Sequence, residues 1–325
     1  MDNLESIQHM KQFSSWLYIA LIIIIALPLT RMGLPWEANA PIALLVGLIF
    51  AMVFENPHPK FNKKCSKYLL QAAVVGLGFG MNLIESLKSG AEGMAFSVVS
   101  VLGVMIVGVL VGYGLHINRK TTYLISSGTA ICGGSAIAAI GPVLKASEKE
   151  MAVSLGVIFI LNSIALFIFP PLGRWLEMSQ EQFGTWAAIA IHDTSSVVGA
   201  GEAFGETALQ TATLIKLTRA LWIIPLAFVT MLVFREKGSK ISIPWFIFLF
   251  VLAMVVNTYC SLPQQLTSVL VLLARRAMVV TLFMIGASLS LSTIRSVGSR
   301  PLVLAVLLWA VIGFSSLAVV LWTIP

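Results

Sequence analysis

Gly128, Gly133, Gly134 and Ser135 set out the pattern G-x-x-x-x-G-G-S. It is one residue from the G-x-x-x-x-G-K-[ST] loop that cradles phosphates on backbone N–H groups. That loop needs a strand before it and a lysine to reach the phosphates. Gly134 stands where the lysine would be, and apolar segments flank both sides, which argues against a nucleotide. What glycine supplies here is interruption. Gly128, Gly133, Gly134 and Gly141, with Pro142, break what would otherwise be one membrane helix, and Ser126, Ser127, Thr129 and Ser135 offer hydroxyls to the freed backbone. Irregular backbone at membrane depth is tolerated only where protein buries it or a cavity receives it. Half-helix N-termini there turn N–H groups and a positive dipole end toward an anion. A helix packed through small residues is the competing reading.

A second stretch, IAIHDTSSVVGAG from Ile189 to Gly201, is also rich in small and hydroxylated residues and adds His192, Asp193, Thr194, Ser195 and Ser196. Two interrupted segments in one chain point to a transport site. A hydrolase relay is the alternative. Adjacent helical residues diverge by about 100°, so His192 and Asp193 do not face each other as base and orienter must. Cys132 or Ser135 remains open as a nucleophile, although no G-x-S-x-G elbow accompanies either.

The third stretch, TATLIKLTRALWIIP from Thr211 to Pro225, places Lys216 and Arg219 deep in an apolar helix, at a cost of about 3 kcal/mol each near a bilayer centre. Thr213, Lys216 and Arg219 recur every three residues and drift by roughly 60° per step, so one strip of the helix carries all three. Either the two cations bind an anion, or they pair with Asp193 or cap the carbonyls of a broken helix. Glu206 and Gln210 continue the polar strip, and Pro225 is placed to kink the far half. Arg275 and Arg276 are adjacent and point in different directions; one enters the cavity, or both mark a bend.

The elements that must hold these residues are membrane segments. The chain has 325 residues, of which 58% are hydrophobic and 11% charged, and its mean hydropathy is +0.93. A soluble domain carries roughly a quarter charged residues. Segments of about 20 mainly apolar residues recur throughout, and we read spans over 14–30, 39–54, 68–84, 93–115, 121–144, 150–172, 183–200, 207–234, 243–260, 265–291 and 301–324. The expectation is a single integral membrane domain over 1–325 with no soluble domain. The stretch before the first span holds Asp2 and Glu5 against Lys11, so it lacks the basic start of a secretory signal.

Loop charge orients the spans. A cytoplasmic N-terminus puts 13 of the 21 cations inside, among them Lys60, Lys63, Lys64, Lys67, Arg119, Lys120, Arg174 and Arg300. Only Arg31, Lys88, Lys145 and Lys149 then lie outside, as the positive-inside rule asks. Eleven crossings put the C-terminus outside. The net charge of +7 is thus topology rather than a nucleic-acid surface, with Lys60 to Lys67 suited to anionic lipid. Cys65, Cys132 and Cys260 are widely spaced and support neither a disulfide framework nor a metal site. Weak internal symmetry relates Gly76–Gly90 to Ile285–Ser299: Gly78, Leu83 and Gly90 match Gly286, Leu291 and Gly298 at one offset, as in a repeat-built transporter.

GTAICGGSAIAAIGPVLKA, IHDTSSVVGAG and ATLIKLTRALWIIP, in this order and spacing, resemble the sulfate exporter family of conserved bacterial inner-membrane proteins. The likeness runs from the third span to IGASLSLSTIRSVGSRPL. That family looks like a branch of the bile acid, arsenite and riboflavin transporter superfamily. The resemblance implies an all-α polytopic protein of ten or eleven spans, with inverted repeats, two discontinuous helices that cross near the midplane, and core and panel domains. It implies that Gly128 to Ser135 is one unwound crossing segment, that His192 to Ser196 belongs to another, and that Lys216 and Arg219 are the family's K-L-T-R. The family name is an attribution, and some relatives are thought to export organosulfonates.

The residues and the resemblance together set the expectation of a secondary transporter that exports a small anion such as sulfate or an organosulfonate by alternating access. Gly128, Thr129, Cys132, Gly133, Gly134, Ser135, Thr194, Ser195, Lys216 and Arg219 are its expected substrate contacts. His192 and Asp193 are its expected ion-coupling groups. No cofactor or metal is expected. The coupling ion is H+, or Na+ held by Thr129, Ser135 and freed carbonyls. Expected partners are a small anionic solute and membrane lipid, not nucleic acid, with a homodimer open. The alternatives are an intramembrane enzyme using Cys132/Ser135 or His192/Asp193, and an anion channel.

Overall fold

The computed structural model of the chain describes residues 2–28, 38–54, 56–234, 245–260, 262–289 and 297–324, and for 2–11 and 85–96 the backbone alone. Every regular element among them is a helix: α1 (Asp2–Ala26), α2 (Ala40–Val53), α3 (Pro59–Gly78), α4 (Leu83–Gly114), α5 (Arg119–Ala130), α6 (Gly134–Val143), α7 (Glu148–Trp175), α8 (Gln180–Ala190), α9 (Thr194–Phe204), α10 (Glu206–Ala220), α11 (Ile223–Phe234), α12 (Trp245–Tyr259), α13 (Gln264–Gly286) and α14 (Ser299–Thr323). Each expected span lies on one helix or on a consecutive pair. Among the described residues, five stretches are long and apolar enough to cross a membrane, by length and composition. The solvent pattern is inverted relative to a soluble protein. Leu110, Phe314 and Trp322 are 66%, 74% and 88% exposed, whereas Lys216 and Arg219 are 0%. Apolar side chains outside and charge inside suit a lipid surround.

Local chemistry sets the helix ends. Ser147 with Glu150 and Ser179 with Gln182 form reciprocal capping boxes that start α7 and α8. Asn39, Asn118 and Asp193 cap α2, α5 and α9 with side-chain oxygens. Pro225 acts four residues upstream of itself. It has no N–H for the Leu221 carbonyl, and the helix is interrupted by a turn at Leu221 and Trp222 between α10 and α11.

The helices fall into two packed groups. In one, α13 lies against α1, α2 and α3, and α12 against α3; the other holds α4 to α11 with α14. They meet where α2 and α13 touch α9, α2 touches α7, and α4 touches α12. The backbones of α2 and α13 cross closely: a Cβ on Gly47 would stand 2.2 Å from the Phe283 carbonyl oxygen, so only glycine fits. The sequence symmetry coincides with matching helix ends, since α3 stops at Gly78 and α13 at Gly286. Leu291 and Arg295 of the second copy lie outside the described residues.

The two interrupted segments depart from the expected crossings. Twelve residues of α5 and ten of α6 laid end to end would separate Lys120 from Lys145 by about 35 Å. Instead the Lys120 Nζ donates to the Lys145 carbonyl at 2.9 Å, so α6 runs back beside α5. Likewise Gln180 Oε1, at the start of α8, accepts from the Thr207 N–H at 2.9 Å, and the Phe183 and Phe204 rings stack at 3.8 Å. Segments 121–144 and 183–200 are therefore re-entrant hairpins, each returning to the side it left, rather than discontinuous helices that cross. Each arm is about 15–18 Å long, half of a hydrocarbon core of about 30 Å.

The hairpins enter from opposite ends of α7. Asn118, Lys120, Glu150 and Phe234 line one cleft at its start, and at its far end Arg174 donates to the Ala203 carbonyl. A hairpin followed by a long helix thus occurs twice, as α5–α6–α7 and as α8–α9 with α10–α11.

Candidate functional site

The tips of the two hairpins touch. The first turns through Ile131, Cys132 and Gly133, and Gly133 has φ +63 and ψ −123, which L side chains rarely adopt. A Cβ there would lie 3.2 Å from the carbonyl carbon and oxygen of His192, in the second tip, and 3.1 Å from Ile158. The unwound part is shorter than the expected Gly128–Ser135. Gly128 and Thr129 belong to the last turn of α5, and Gly134 and Ser135 open α6. Thr194, Ser195 and Ser196 are likewise the first turn of α9, leaving Ile191, His192 and Asp193 as the second tip.

Four helix ends meet at the contact, and each end leaves backbone groups without intrahelical partners. At the C-terminal end of α5, Arg219 Nη2 donates to the Ala130 carbonyl at 2.6 Å, while its Nη1 reaches Ser100 Oγ at 2.8 Å. At the C-terminal end of α8, Lys216 Nζ donates to the carbonyls of Ile191 at 2.6 Å and Ala188 at 3.2 Å. Both cations therefore cap broken helices, with their charge at the negative dipole ends. No ion pair joins either to Asp193 among the described residues.

The N-terminal end of α9 is closed by Asp193. Its Oδ2 accepts from the Ser195 N–H at 3.0 Å and from the Ser195 hydroxyl. Asn162, on α7, holds the tip from behind: its Oδ1 accepts from the N–H groups of His192 and Asp193, both at 3.1 Å. His192 is 1% exposed, and neither ring nitrogen has a partner among the described residues.

The N-terminal end of α6 is different. Its cap residue is Gly133, which has no side chain to offer. Gly134 is half-buried and Ser135 exposed. Of the first three N–H groups, the Ala136 one meets the Cys132 thiol, and the helix gives those of Gly134 and Ser135 no acceptor. Thr129, one turn away on α5, is fully buried with its hydroxyl unpartnered among the described residues.

The fold thus gathers Thr129, Cys132, Gly133, Gly134, Ser135, His192, Asp193, Thr194, Ser195, Lys216 and Arg219 around one contact. Gly128 supports it from within α5, its carbonyl accepting from the Gly133 N–H at 2.8 Å. Arg275 and Arg276 stand apart on α13, which is helical through both. Arg275 pairs with Glu206 at the start of α10, bridging the two helix groups, and Arg276 donates to the Ala38 carbonyl at 3.3 Å. Asn162 and Ser100 were missed by the sequence reading, although Asn162 is conspicuous as the amide in VIFILNSIALFIF.

The family model described as Conserved hypothetical protein 698 matches residues 15–305. A UPF0324 membrane protein of Bacteroides thetaiotaomicron is 63% identical over 288 residues, covering 87% of each chain. A second of that name, from Porphyromonas gingivalis, is 55% identical over 285 residues and 86% of each chain. A third, from Shewanella oneidensis, is 43% identical over 284 residues, covering 87% of this chain and 90% of that one. No solved structure matches. These names describe conserved membrane proteins and carry no substrate.

Proposed function

The chain belongs to the family described as Conserved hypothetical protein 698, and on that premise we propose that it is a secondary transporter for a small anion in a bacterial inner membrane. One observation carries the reading: of the four half-helix ends at the tip contact, three carry a charged side chain, Arg219, Lys216 or Asp193, and the fourth, at Gly134 and Ser135, carries none. That open end is positive and offers unpaired N–H groups, which is anion chemistry. Sulfate or an organosulfonate is the substrate class, and export by alternating access is the mechanism.

In this reading nine helical stretches cross and two hairpins enter from opposite faces to meet near the midplane. The N-terminus is cytoplasmic and the C-terminus outside. Lys145 and Lys149 join Lys120 on the cytoplasmic side and Arg174 moves out, which strengthens the positive-inside bias. The group holding the hairpins moves against the group of α1, α2, α3, α12 and α13. The Arg275–Glu206 pair then closes the outer half. No reaction is assigned. The His192 ring is bonded to no carboxylate or hydroxyl among the described residues, so the relay that an enzyme would need has no support.

The test is uptake of labelled sulfate and organosulfonates into proteoliposomes. Ser135→Asp places a tethered carboxylate at the open end, as Asp193 does at α9, and is expected to abolish flux, whereas Ser135→Ala keeps most of it. Lys216→Ala is expected to lose most of it. Wild-type flux of no tested anion, or full flux through Ser135→Asp, would sink the proposal.

A further inference from the structure

The C-terminal ends of α5 and α8 are the negative ends of two half-helices at membrane depth. In sodium-coupled carriers such ends, with unwound carbonyls, are where the ion is held. Here those carbonyls are already engaged. Ala130 accepts from Arg219 at 2.6 Å, Ile191 from Lys216 at 2.6 Å and Ala188 from Lys216 at 3.2 Å. Both cations are 0% exposed, and both come from one strip of α10, three residues apart, so they arrive with a single helix. A metal ion on the same oxygens would have to sit against an ammonium or a guanidinium already within hydrogen-bonding distance.

We infer that Lys216 and Arg219 are tethered counter-cations standing in the positions of a coupling metal ion, so that the hairpin tips assemble without sodium. Lysine suits the α8 end, where a compact charge with three donors serves two diverging carbonyls. Arginine suits the α5 end, where a planar fork divides between a carbonyl and the Ser100 hydroxyl. The consequence for transport, that flux needs no sodium, rests on the carrier reading; the occupancy of the helix ends does not.

The experiment is thermal unfolding of the purified full chain in detergent, in sodium chloride or in choline chloride at equal ionic strength. Wild type is expected to give the same midpoint in both. Lys216→Ala is expected to melt lower, and sodium or methylammonium, each small enough to refill the vacated site, is expected to raise its midpoint by about 2–4 °C over choline. Lys216→Gln, which keeps one donor and loses the charge, is read in the same way where the alanine variant does not purify. A wild-type midpoint raised by sodium over choline overturns the inference. So does a purified variant that responds to neither cation. No gradient is present, so the outcome is independent of whether the protein transports anything.

Discussion

Gly133→Ala tests the tip-to-tip contact, and its neighbour supplies the control. At φ +63 and ψ −123 an L side chain is strained, which costs about 1–3 kcal/mol. The new Cβ would also stand 3.1 Å from Ile158 Cγ2 and 3.2 Å from the His192 backbone. That backbone is pinned by Asn162, so crowding adds to the strain and a total of roughly 2–4 kcal/mol follows. Gly134 has ordinary helical geometry, and a Cβ there meets nothing closer than 3.4 Å. Its replacement by alanine is neutral, or stabilising by up to about 1 kcal/mol. Thermal melts in detergent separate the two: a drop of roughly 5 °C or more for Gly133→Ala, and none for Gly134→Ala. Equal melting of both variants would refute the idea that the hairpins meet at Gly133.

Three further outcomes follow from the same geometry. On a background lacking Cys65, Cys132 and Cys260, single cysteines at Lys120 and Lys145 should label with an impermeant thiol reagent from one face and cysteines at Arg174 and Glu181 from the other; labelling of 120 and 145 from opposite faces would restore a crossing. Asn162→Leu leaves the His192 and Asp193 N–H groups unpaired, at about 1–3 kcal/mol for each buried donor before relaxation, and should lower both the melting midpoint and the flux; a flux equal to wild type would show that the second tip does not need its brace. Glu206→Arg should break the pair with Arg275 and raise outward labelling of a Thr213→Cys reporter, and adding Arg275→Glu should reverse it; an unchanged reporter would remove the pair from the closure.

Hydropathy located the apolar helical stretches because a run of about 20 apolar residues is a local property of sequence. It did not distinguish a broken crossing from a hairpin. The 24 residues of 121–144 suffice for a span, and what folds them back is a three-residue link and a lysine bond between its ends. The charge count nevertheless held the clue. Lys145 and Lys149 were half of the cations set outside by eleven crossings, and the proposed topology returns both to the inside while moving Arg174 out. Lys216 and Arg219 were legible as buried because their spacing put them on one helix strip with Thr213. Their partners were not, since Ala130, Ala188 and Ile191 take part through carbonyls, which no side-chain pattern announces. Asp193 likewise reads as a free carboxylate until the helix it caps is known.

The closed helix ends have an electrical side. Lys216, Arg219 and Asp193 all belong to the group that holds the hairpins, and in the proposed carrier two cations against one carboxylate give its centre a formal charge of one positive. Binding a monovalent anion cancels that charge, so the loaded centre shifts without electrical work. The empty centre does not, and a full traverse is worth about 2.3 kcal/mol per 100 mV. In the proposed carrier, an inside-negative potential would draw the empty form to its cytoplasm-facing state and leave the loaded one unbiased, which would turn a symmetric shuttle toward export of monovalent anions. Clamping the potential of proteoliposomes with potassium and valinomycin should change the efflux rate of a sulfonate with that sign, and a rate indifferent to voltage would place the three charges outside the moving part.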